Sequence, residues 1–470
     1  PKMAKIANRN CKKIYVTDDN PRNEKPEKIR KEIVKYLKKK NFHNIGNRAI
    51  AIKTSIIKAE PGEIILVAGK GHESKQIYEN KIINISDKKI IKNLKLRIKK
   101  ISNKEQNYLQ NIKIAKKIIK KNQIKKFHGL SVDTRSLKKN NLFLTIKGKN
   151  NDGSKFISKA LKKGAKQVIS SKNIKTFKGK VIKVENEIKF LNQFAIEKRN
   201  TTNAKIFAIT GSAGKTSLKN LLCDLLKNFG PTLCSPKSYN NYLGVPLSIS
   251  HLADYHKFGI FEVGMSKAGE IDFLTKIIRP HIGIITNVGA AHIENFQNLK
   301  GIANAKSEIM NNIEKGGVII LNRDDKYFNY FKKISRKKEL KIITFGMNRK
   351  SDIYPLAITE RHNFKNLTIK AKDQIVKFKL KNINVQNVLA SIALLKELNL
   401  DLNRISKIFE KHEATEGRGK IHKIQRYKKN FNLIDESYNA NPLSVKNAIK
   451  NFNSIKKIKF KKYLVLGDML

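Results

Sequence analysis

The segment Thr210–Ser217, with the letters T-G-S-A-G-K-T-S, has the residue types that bind the phosphates of a nucleotide. Glycines let backbone N–H groups crowd around an anion, and the first turn of a following helix adds about half a positive charge. We expect Lys215 to reach the β- and γ-phosphates and the Thr216 hydroxyl to coordinate Mg²⁺. The complete predicted cradle is Gly211, Ser212, Ala213, Gly214, Lys215, Thr216 and Ser217.

Two flanking patterns place this loop between a strand and a helix. The β-rich run Lys205–Thr210 precedes it, and apolar residues at helical spacing follow it from Leu218 to Phe229. A strand, a glycine turn and a helix in this order predict an α/β protein whose central domain has a parallel sheet and a phosphate-binding loop. Ligands of such sheets bind where the strands end.

Two further polar residues are associated with predicted strands. Glu262 lies in the apolar strand Phe258–Val263, and burial of an unpaired carboxylate is costly, so we expect Mg²⁺ as its partner. His292 follows the strand Ile282–Val288, and we expect it to hold a second Mg²⁺ or to shape the site around that ion. The alternative for His292 is a structural role.

Length and composition favour several globular domains in a reducing cytoplasm. The chain has 470 residues, enough for about three domains with cores of their own. Its net charge of +61 permits a nucleic-acid-binding protein, but the lysines are scattered, which favours a biased genome over a dedicated nucleic-acid surface. No apolar run approaches transmembrane length. Cys11, Cys223 and Cys234 fit no zinc motif, and an odd, scattered set argues against a disulfide framework.

The glycine loop also has an unusual spacing. Gly211 lies three residues before Gly214, and Ile209 stands five residues before it, where the usual loop has its first glycine. The pattern T-G-S-x-G-K-T-S resembles the ATP site of the Mur ligase superfamily, the amide-forming enzymes of peptidoglycan synthesis. This resemblance implies a multidomain α/β architecture, with Rossmann-like domains flanking the central one, and ATP and two Mg²⁺ ions as cofactors.

The resemblance implies roles for four more residues. Lys306, in A-N-A-K-S-E, matches a lysine that can be carbamylated and then bind Mg²⁺, although it could also be one more surface lysine. Asn387, in N-V-Q-N, is expected at the adenine. Arg418, in G-R-G, is expected at the γ-phosphate or adenine side when the domains close, and Asp435 at the ribose or phosphates. The catalytic set implied is Lys215, His292, Lys306 and Arg418.

Residues 108–470 are similar to the branch of the family that adds D-Ala-D-Ala, abbreviated MurF. In residues 108–199, the series S-V-D-T-R-S resembles the domain that holds the UDP end of the substrate, which implies contacts from Ser131 and Arg135. A surface salt bridge is the alternative for Arg135. Asn240 and Asn241, in N-N-Y-L-G-V-P, are expected at the same substrate. Residues 200–415 are then the central ATP-binding domain, and residues 416–470 are a truncated last domain. The S-Y-N-A-N-P stretch of the last domain implies that three residues lie near the dipeptide: Tyr438, Asn439 and Asn441.

Residues 1–97 resemble instead the last domain of the branch that adds meso-diaminopimelate, abbreviated MurE. Two loops, D-N-P-R and G-K-G-H-E, each follow a predicted strand, the second of which is Glu63–Ala68. Arginine suits the carboxylate of a zwitterion and glutamate its ammonium. The residues carried over are Asp19, Asn20, Arg22, Gly69 and Glu73, and the alternative is a turn plus a glycine-rich loop. Residues 98–107 are polar, lack apolar periodicity and are predicted to be a linker.

The resemblance implies a fragment of a MurE–MurF fusion, cut at both ends. Its second part is expected to join UDP-MurNAc-tripeptide to D-Ala-D-Ala through an acyl phosphate in the cytoplasm, with no membrane and no specific nucleic acid as partner. Two departures from the family pattern are Ser154 and Ile383, each in place of a histidine. The alternatives are a ligase similar to folylpolyglutamate synthase and a basic nucleic-acid-binding protein.

Overall fold

The computed structural model describes residues 2–37, 42–59, 63–69, 75–119, 124–148, 151–291, 293–361, 364–381, 383–414, 416–427, 429–438, 442–454 and 461–467. The chain divides into two compact units, Pro1–Gln106 and Asn107–Leu470. Within the ranges given above, no helix is both long enough and apolar enough to cross a membrane.

The first unit contains two small sheets and several helices. In chain order its elements are α1 (Lys2–Asn10), β1 (Ile14–Val16), α2 (Pro26–Val34), β2 (Phe42–Asn44), α3 (Arg48–Lys58), β3 (Lys75–Tyr78) and β4 (Lys81–Asn84). β1 pairs with β2 in parallel, and β3 pairs with β4 antiparallel. The strand expected over Glu63–Ala68 is wrong: in the described part of this unit β1 pairs with β2 alone, residues 63–68 have no strand partner, and Leu66 is 83% exposed.

Helix α4 (Asp87–Ile119) begins in the first unit and ends in the second. Residues 98–107, expected to be a linker, are part of this helix. They contain no proline or glycine, and polar residues without these two are compatible with a helix even where no apolar stripe recurs. The division between the two units falls after Gln106.

The second unit starts with a small parallel sheet. Its elements are β5 (Leu130–Ser131), β6 (Leu142–Leu144), α5 (Ile157–Lys162), β7 (Gln167–Ser170), β8 (Val181–Lys183) and α6 (Glu187–Thr201). The strands follow chain order and are parallel throughout. Phe190 and Phe194 of α6 pack in the core of this part with Leu142. A parallel sheet with crossover connections is the α/β arrangement expected for this flanking domain.

A nine-stranded sheet dominates the second unit. Its elements are β9 (Lys205–Thr210), α7 (Lys215–Leu226), β10 (Thr232–Cys234), α8 (Gly244–Ile249), β11 (Phe258–Glu262), α9 (Glu270–Ile278), β12 (Ile282–Ile285), α10 (Leu299–Ser307), β13 (Val318–Asn322), α11 (Phe328–Lys337), β14 (Lys341–Phe345), β15 (Ile353–Arg361), β16 (Phe364–Ala371), β17 (Gln374–Leu380), α12 (Val385–Glu397) and α13 (Ser406–Lys411). The strand order is β10-β11-β9-β12-β13-β14-β15-β16-β17. Pairing is parallel from β10 to β15 and antiparallel from β15 to β17, so the predicted parallel central sheet is confirmed and is extended by a meander.

Apolar strands explain why helices cover both faces of this sheet. β9 is buried at every position after Lys205, and β11 and β12 are buried throughout. Near-continuous apolar strands of this kind require cover on both sides. Helices α7 and α12 contribute to one core cluster, and α9, α10 and α11 contribute to the other. The parallel strands therefore end at one edge, where β9 and β11 deliver Thr210 and Glu262.

Cys223 of α7 and Cys234 of β10 form a disulfide. The cysteine pattern argued against a disulfide framework, and the structure nevertheless pairs two of the three cysteines. The chain turns back from α7 into β10, which brings two positions only 11 residues apart in sequence to a Cα–Cα distance of 6.2 Å. Cys11 is free and exposed.

The last described elements are a hairpin and a helix: β18 (Lys420–Arg426), β19 (Lys429–Asp435) and α14 (Pro442–Ser454). β18 and β19 pair antiparallel, with Lys420 opposite Asp435. This register brings the end of β19 to the glycines that precede β18, since Gly419 N donates to Asp435 O at 2.7 Å.

Candidate active site

Two glycines of the loop between β9 and α7 are required by the backbone. Gly211 has φ +151°, and a Cβ there would lie 1.9 Å from Oγ1 of Thr286. Gly214 has φ +82° and directly precedes α7. Both φ values lie in the region that favours glycine. The loop therefore turns tightly enough to present the N-terminus of α7, with its unpaired N–H groups, to a phosphate.

The end of β12 holds this loop in place. Ala213 N donates to Asn287 Oδ1 at 2.9 Å, and Asn287 Nδ2 donates back to Ala213 O at 3.1 Å. Ser212 Oγ donates to Gly289 O at 2.9 Å, and Thr286 Oγ1 donates to Ala213 O at 2.7 Å. Sequence reasoning missed the role of Asn287. It follows a parallel strand next to β9, which is the signal that could have found it.

Lys215 lies within the phosphate loop. Its Nζ donates to Gly211 O at 2.7 Å, a hydrogen bond that phosphate oxygens can replace. Burial lowers the pKa of Lys215, the charge of Glu262 opposes this shift, and the charge of Arg418 adds to it. Three charged groups from three parts of the chain therefore share one electrostatic environment at the loop.

Glu262 and Thr216, both predicted Mg²⁺ ligands, are in contact. Glu262 is 1% exposed, and its Oε2 accepts a hydrogen bond from Thr216 Oγ1 at 2.7 Å. Its Oε1 accepts a hydrogen bond from Asn240 Nδ2 at 2.8 Å. The carboxylate thus has two protein partners, a hydroxyl and an amide, and Mg²⁺ as a further partner stays a prediction. The oxygens of Thr216 and Glu262 are still hard donors side by side, as Mg²⁺ prefers.

Lys306 is a buried lysine of α10, not a surface one, with 3% exposure. Burial lowers its pKa well below the ordinary value, the charge of Lys215 lowers it further, and the charge of Asp325 opposes the shift. Asp325 accepts hydrogen bonds from Val288 N at 2.7 Å and from Tyr327 N at 2.8 Å, and burial raises its pKa. Lys306 therefore places a buried amine in the same electrostatic environment as Lys215 and Asp325.

Arg418 lies between the hairpin and the phosphate loop. Its Nη2 donates to Ser238 Oγ at 3.4 Å, and Ser238 Oγ lies 3.5 Å from Thr216 Oγ1. The guanidinium also lies over the ring of Tyr438, 4.4 Å from its centroid. Gly417, with φ +71°, has no room for a Cβ because the nearest atom of Tyr438 is 2.6 Å away. Ser238 was not among the predicted site residues, although it lies two positions before the predicted Asn240-Asn241 pair.

The pKa values of the two acids at the end of β19, Asp435 and Glu436, are shifted in opposite directions. Asp435 accepts hydrogen bonds from Ser437 Oγ at 2.6 Å and from Gly417 N at 2.8 Å. These bonds, that of Ser437 foremost, lower the pKa of Asp435. Burial raises the pKa of Glu436, whereas the charge of Arg418 opposes this. Asp435 is therefore the more acidic of the pair.

A cavity of about 460 Å³ is lined by several residues that were predicted to bind the nucleotide. Its wall includes Ala213 and Gly214 of the loop, Asn387 of α12 and Arg418. Other lining residues were not predicted, namely Phe345, Glu360, Phe364, Lys365 and Glu436. The three in β15 and β16 lie in a meander that carries no recognisable motif. The cavity combines a phosphate end with an aromatic and amide-lined end, as a nucleotide requires.

The predicted UDP-substrate residues have varied surroundings. Ser131 is buried, and its Oγ donates to Asp133 O at 3.1 Å. The side chain of Arg135 is 86% exposed and forms an ion pair with Asp133 at 2.8 Å, which lowers the pKa of Asp133. Asn240 contacts Glu262, as above, whereas Asn241 Oδ1 accepts from Gly244 N at 2.9 Å at the start of α8. Arg135 and Asn241 are exposed, whereas Ser131 is buried.

The first unit brings together four of its five predicted residues. Asn20 Oδ1 accepts from Ile77 N at 3.0 Å, and Arg22, with φ +50°, donates its N–H to Ile77 O at 3.1 Å. Gly69 has φ +112°, and a Cβ there would lie 3.1 Å from Asp19 Oδ2. Asp19, Asn20 and Gly69 line a cavity of about 760 Å³ within this unit.

Four predicted site residues lie outside the described ranges and stay predictions: Glu73, His292, Asn439 and Asn441.

Comparison with protein-family models finds three Mur ligase domains in this chain. Residues 209–395 match the Mur ligase middle domain. Residues 126–199 match the Mur ligase family catalytic domain, and residues 1–71 match the Mur ligase glutamate ligase domain. The glutamate ligase domain is thus matched before the other two in the chain.

Individual relatives are similar over most of the second unit. The UDP-N-acetylmuramoyl-tripeptide--D-alanyl-D-alanine ligase of Buchnera aphidicola subsp. Baizongia pistaciae is 33% identical, over 70% of this chain and 71% of the relative. The ligase of the same name from Rickettsia prowazekii is 33% identical, over 71% of this chain and 74% of the relative. A crystal structure of MurF from Acinetobacter baumannii superposes with a TM-score of 0.65 at 27% identity, covering 74% of this chain and 76% of that one. The chain belongs to the Mur ligase family.

Proposed function

We propose that the second unit is a ligase that joins D-Ala-D-Ala to UDP-MurNAc-tripeptide at the expense of ATP. The observation that carries the proposal is the single cavity lined by the phosphate loop, Asn387 and Arg418, with the Thr216–Glu262 pair beside the loop. The names and the sequence similarity of the relatives support the choice of substrates.

The proposed reaction has two steps. The terminal carboxylate of the tripeptide attacks the γ-phosphorus of ATP, so that an acyl phosphate forms and ADP leaves. The amine of D-Ala-D-Ala then attacks the acyl carbon, a C–N bond forms, the C–O bond to phosphate breaks, and the amine releases a proton. Activation is needed because a carboxylate is a poor electrophile.

Charge neutralisation and positioning are the tasks of the protein. Lys215 exchanges its bond to Gly211 O for the β- and γ-phosphates, and Arg418 approaches the same charge from the hairpin. Thr216 and Glu262 are the proposed ligands of one Mg²⁺, which supplies further positive charge when bound. Lys306 is buried near Lys215 and Asp325, and burial lowers its pKa, so we assign it the carbamate role that the family resemblance implies. With His292, this carbamate is proposed to hold a second Mg²⁺.

The remaining predicted residues are assigned to the nucleotide, the UDP substrate and the dipeptide. Asn387 and Asp435 are proposed to contact the adenine and the ribose or phosphates. Ser131, Arg135, Asn240 and Asn241 are assigned to the UDP substrate, and Tyr438, Asn439 and Asn441 to the dipeptide. Asn240 contacts the Mg²⁺ ligand Glu262, and the exposed guanidinium of Arg135 has the charge for a pyrophosphate. The domain bounds proposed are 108–199, 200–415 and 416–470.

For the first unit we propose a remnant of a diaminopimelate-adding ligase. The match of residues 1–71 to a Mur ligase glutamate ligase domain, ahead of the other two domains, supports a fusion of two Mur ligase parts. The choice of a MurE-like first part rests on the D-N-P-R and G-K-G-H-E loops alone. Asp19, Asn20, Arg22, Gly69 and Glu73 are the proposed contacts to meso-diaminopimelate. Asp19 Oδ1 is buried with no hydrogen-bond partner among the residues described, so it can accept a hydrogen bond from an ammonium.

The test is phosphate release by the full-length protein that carries this chain. ATP, Mg²⁺, UDP-MurNAc-tripeptide and D-Ala-D-Ala are supplied together and with one peptide substrate omitted. We expect release that requires both peptides and is lost in Lys215→Ala but not in Lys227→Ala, an exposed lysine of the turn after α7. Release without peptides contradicts the substrate assignment, and no release with salt-sensitive nucleic-acid binding contradicts the ligase function. The cytoplasmic location stays a prediction.

A further inference from the structure

Helix α7 carries a second buried lysine one turn after Lys215. Lys219 is 1% exposed. Its Nζ donates to Ser235 O at 2.7 Å and also to Lys237 O. Burial lowers the pKa of Lys219, with the charge of Glu262 opposing the shift and that of Arg418 adding to it. Burial of an ammonium group is costly unless the group is hydrogen-bonded. The two carbonyls therefore stabilise the buried Lys219 side chain by accepting its hydrogen bonds.

The two carbonyls belong to the segment that leads from β10 into the active site. Lys237 has φ +46°, an uncommon conformation for a residue other than glycine, so this turn depends on its contacts. Ser235 Oγ accepts from Glu262 N at 3.3 Å, which ties the start of the segment to β11. Lys219 ties the same segment to α7.

The residues that follow this anchor face the reacting groups. Ser238 Oγ lies 3.5 Å from Thr216 Oγ1 and accepts from Arg418 Nη2 at 3.4 Å. Asn240 donates to Glu262 at 2.8 Å. A short stretch of backbone thus places one hydroxyl between the phosphate loop and the hairpin, and one amide on the proposed Mg²⁺ ligand.

We propose that Lys219 is a positioning residue that acts through Ser238 and Asn240. It holds residues 235–238 against α7, so that Ser238 connects Thr216 to Arg418 while Asn240 orients the Glu262 carboxylate. The kinetic part of this inference rests on the proposed ligase function, whereas the positioning itself does not.

The first experiment measures positioning without activity. Amide hydrogen exchange is followed at Tyr239 and Asn240, whose N–H groups donate to Pro236 O and Ser238 O. In full-length Lys219→Met, we expect exchange at these two amides to be at least about tenfold faster than in the wild type. The matched control is Lys227→Met, which removes an exposed lysine just past the end of the same helix and leaves exchange unchanged. Unchanged exchange in folded Lys219→Met overturns the proposal.

The second experiment tests whether Lys219 affects the reaction through Ser238. We expect kcat/KM for the tripeptide substrate to fall by about 100-fold in Lys219→Met, while the Kd for ATP changes by less than about threefold. Ser238→Ala added to Lys219→Met then causes little further loss, because the anchored hydroxyl is already misplaced. Full additivity of the two losses, or an ATP affinity that falls as much as kcat/KM, contradicts the proposal.

Two controls separate the possible failures. If the wild type lacks ligase activity, the proposed function fails, but the exchange measurement still decides the positioning role. If Lys219→Met does not fold, Lys219→Leu, which also lacks a donor, is measured in its place, and wild-type exchange at Tyr239 and Asn240 in that folded variant overturns the inference.

Discussion

Oγ1 of Thr216 donates to Oε2 of Glu262 at 2.7 Å across 46 positions of sequence. The hydroxyl comes from the first turn of α7 and the carboxylate from the last residue of β11, and neither is near the other until β9 and β11 pair. We predict that Glu262→Gln raises the Mg²⁺ concentration for half-maximal activity by about tenfold or more and lowers kcat by about 100-fold, because a neutral amide is a weaker ligand for a hard cation. Phosphate release against Mg²⁺ concentration measures both.

The control for this prediction is Glu185→Gln, whose side chain is 79% exposed and pairs only with Lys189 among the described ion pairs. We expect it to match the wild type. An unchanged Mg²⁺ dependence in Glu262→Gln would remove Glu262 from the proposed metal site.

A methyl group at position 211 should disable the phosphate loop. A Cβ there meets Thr286 Oγ1 at 1.9 Å, and φ is +151°. We expect Gly211→Ala to weaken ATP binding by at least about tenfold and to lower the free energy of unfolding by about 1–3 kcal/mol. Gly467→Ala is the control, since no atom of the residues that the structure describes lies within 4 Å of a Cβ at that position. Calorimetric ATP binding equal to wild type in Gly211→Ala contradicts the described loop.

The disulfide between Cys223 and Cys234 should stabilise the fold. It closes a short loop between α7 and β10, and loss of a crosslink of this length costs about 3 kcal/mol in the chain-entropy model. We expect reductant or Cys234→Ser to lower the denaturant midpoint of the second unit. Cys11→Ser, which changes the free cysteine, leaves the midpoint unchanged. A midpoint that is insensitive to reductant in the wild type shows that the bond is not formed in solution.

Lys198 should make stability depend on pH. Its Nζ donates to Asn107 Oδ1 and Gln110 Oε1, and burial lowers its pKa from 10.5 to about 7. Between these values the unfolded chain binds more protons at this lysine than the folded chain does, so the free energy of unfolding rises with pH. From pH 7.5 to 9.5 we expect the wild type to gain about 2 kcal/mol relative to Lys198→Met.

Urea unfolding at the two pH values, with Lys189→Met as the exposed control, measures this difference. The same pH dependence in wild type and Lys198→Met would show that Lys198 titrates normally. A gain on lowering the pH would contradict the burial of its amine.

Local patterns predicted the parts of the site that lie next to each other in the chain. The strand β9, the glycine turn and α7 follow from one stretch of residues, and short motifs singled out Asn387 and Arg418, which line the same cavity as the loop. Contacts between distant strands were not predictable in this way. Asn287 and Ser238 meet the phosphate loop only because the parallel sheet brings the ends of β12 and β10 beside it, and the buried state of Lys306 depends on tertiary packing.

The errors have a similar origin. Glu63–Ala68 has the apolar residues of a strand, but strand formation also needs a neighbour to pair with. The helical state of residues 98–107 was not predicted, because they lack an apolar stripe, whereas the division between the two units does fall inside this predicted linker. The Cys223–Cys234 bond depends on the turn between α7 and β10, which cysteine spacing alone does not specify.

The reciprocal hydrogen bonds between Ala213 and Asn287 have a consequence for nucleotide affinity. They fix the phosphate loop through protein contacts alone. The conformational entropy of ordering that backbone is therefore lost when the chain folds and not when the ligand arrives. A nucleotide therefore binds a loop that is already ordered, and the free energy of its phosphate contacts is not reduced by the entropy cost of ordering that loop.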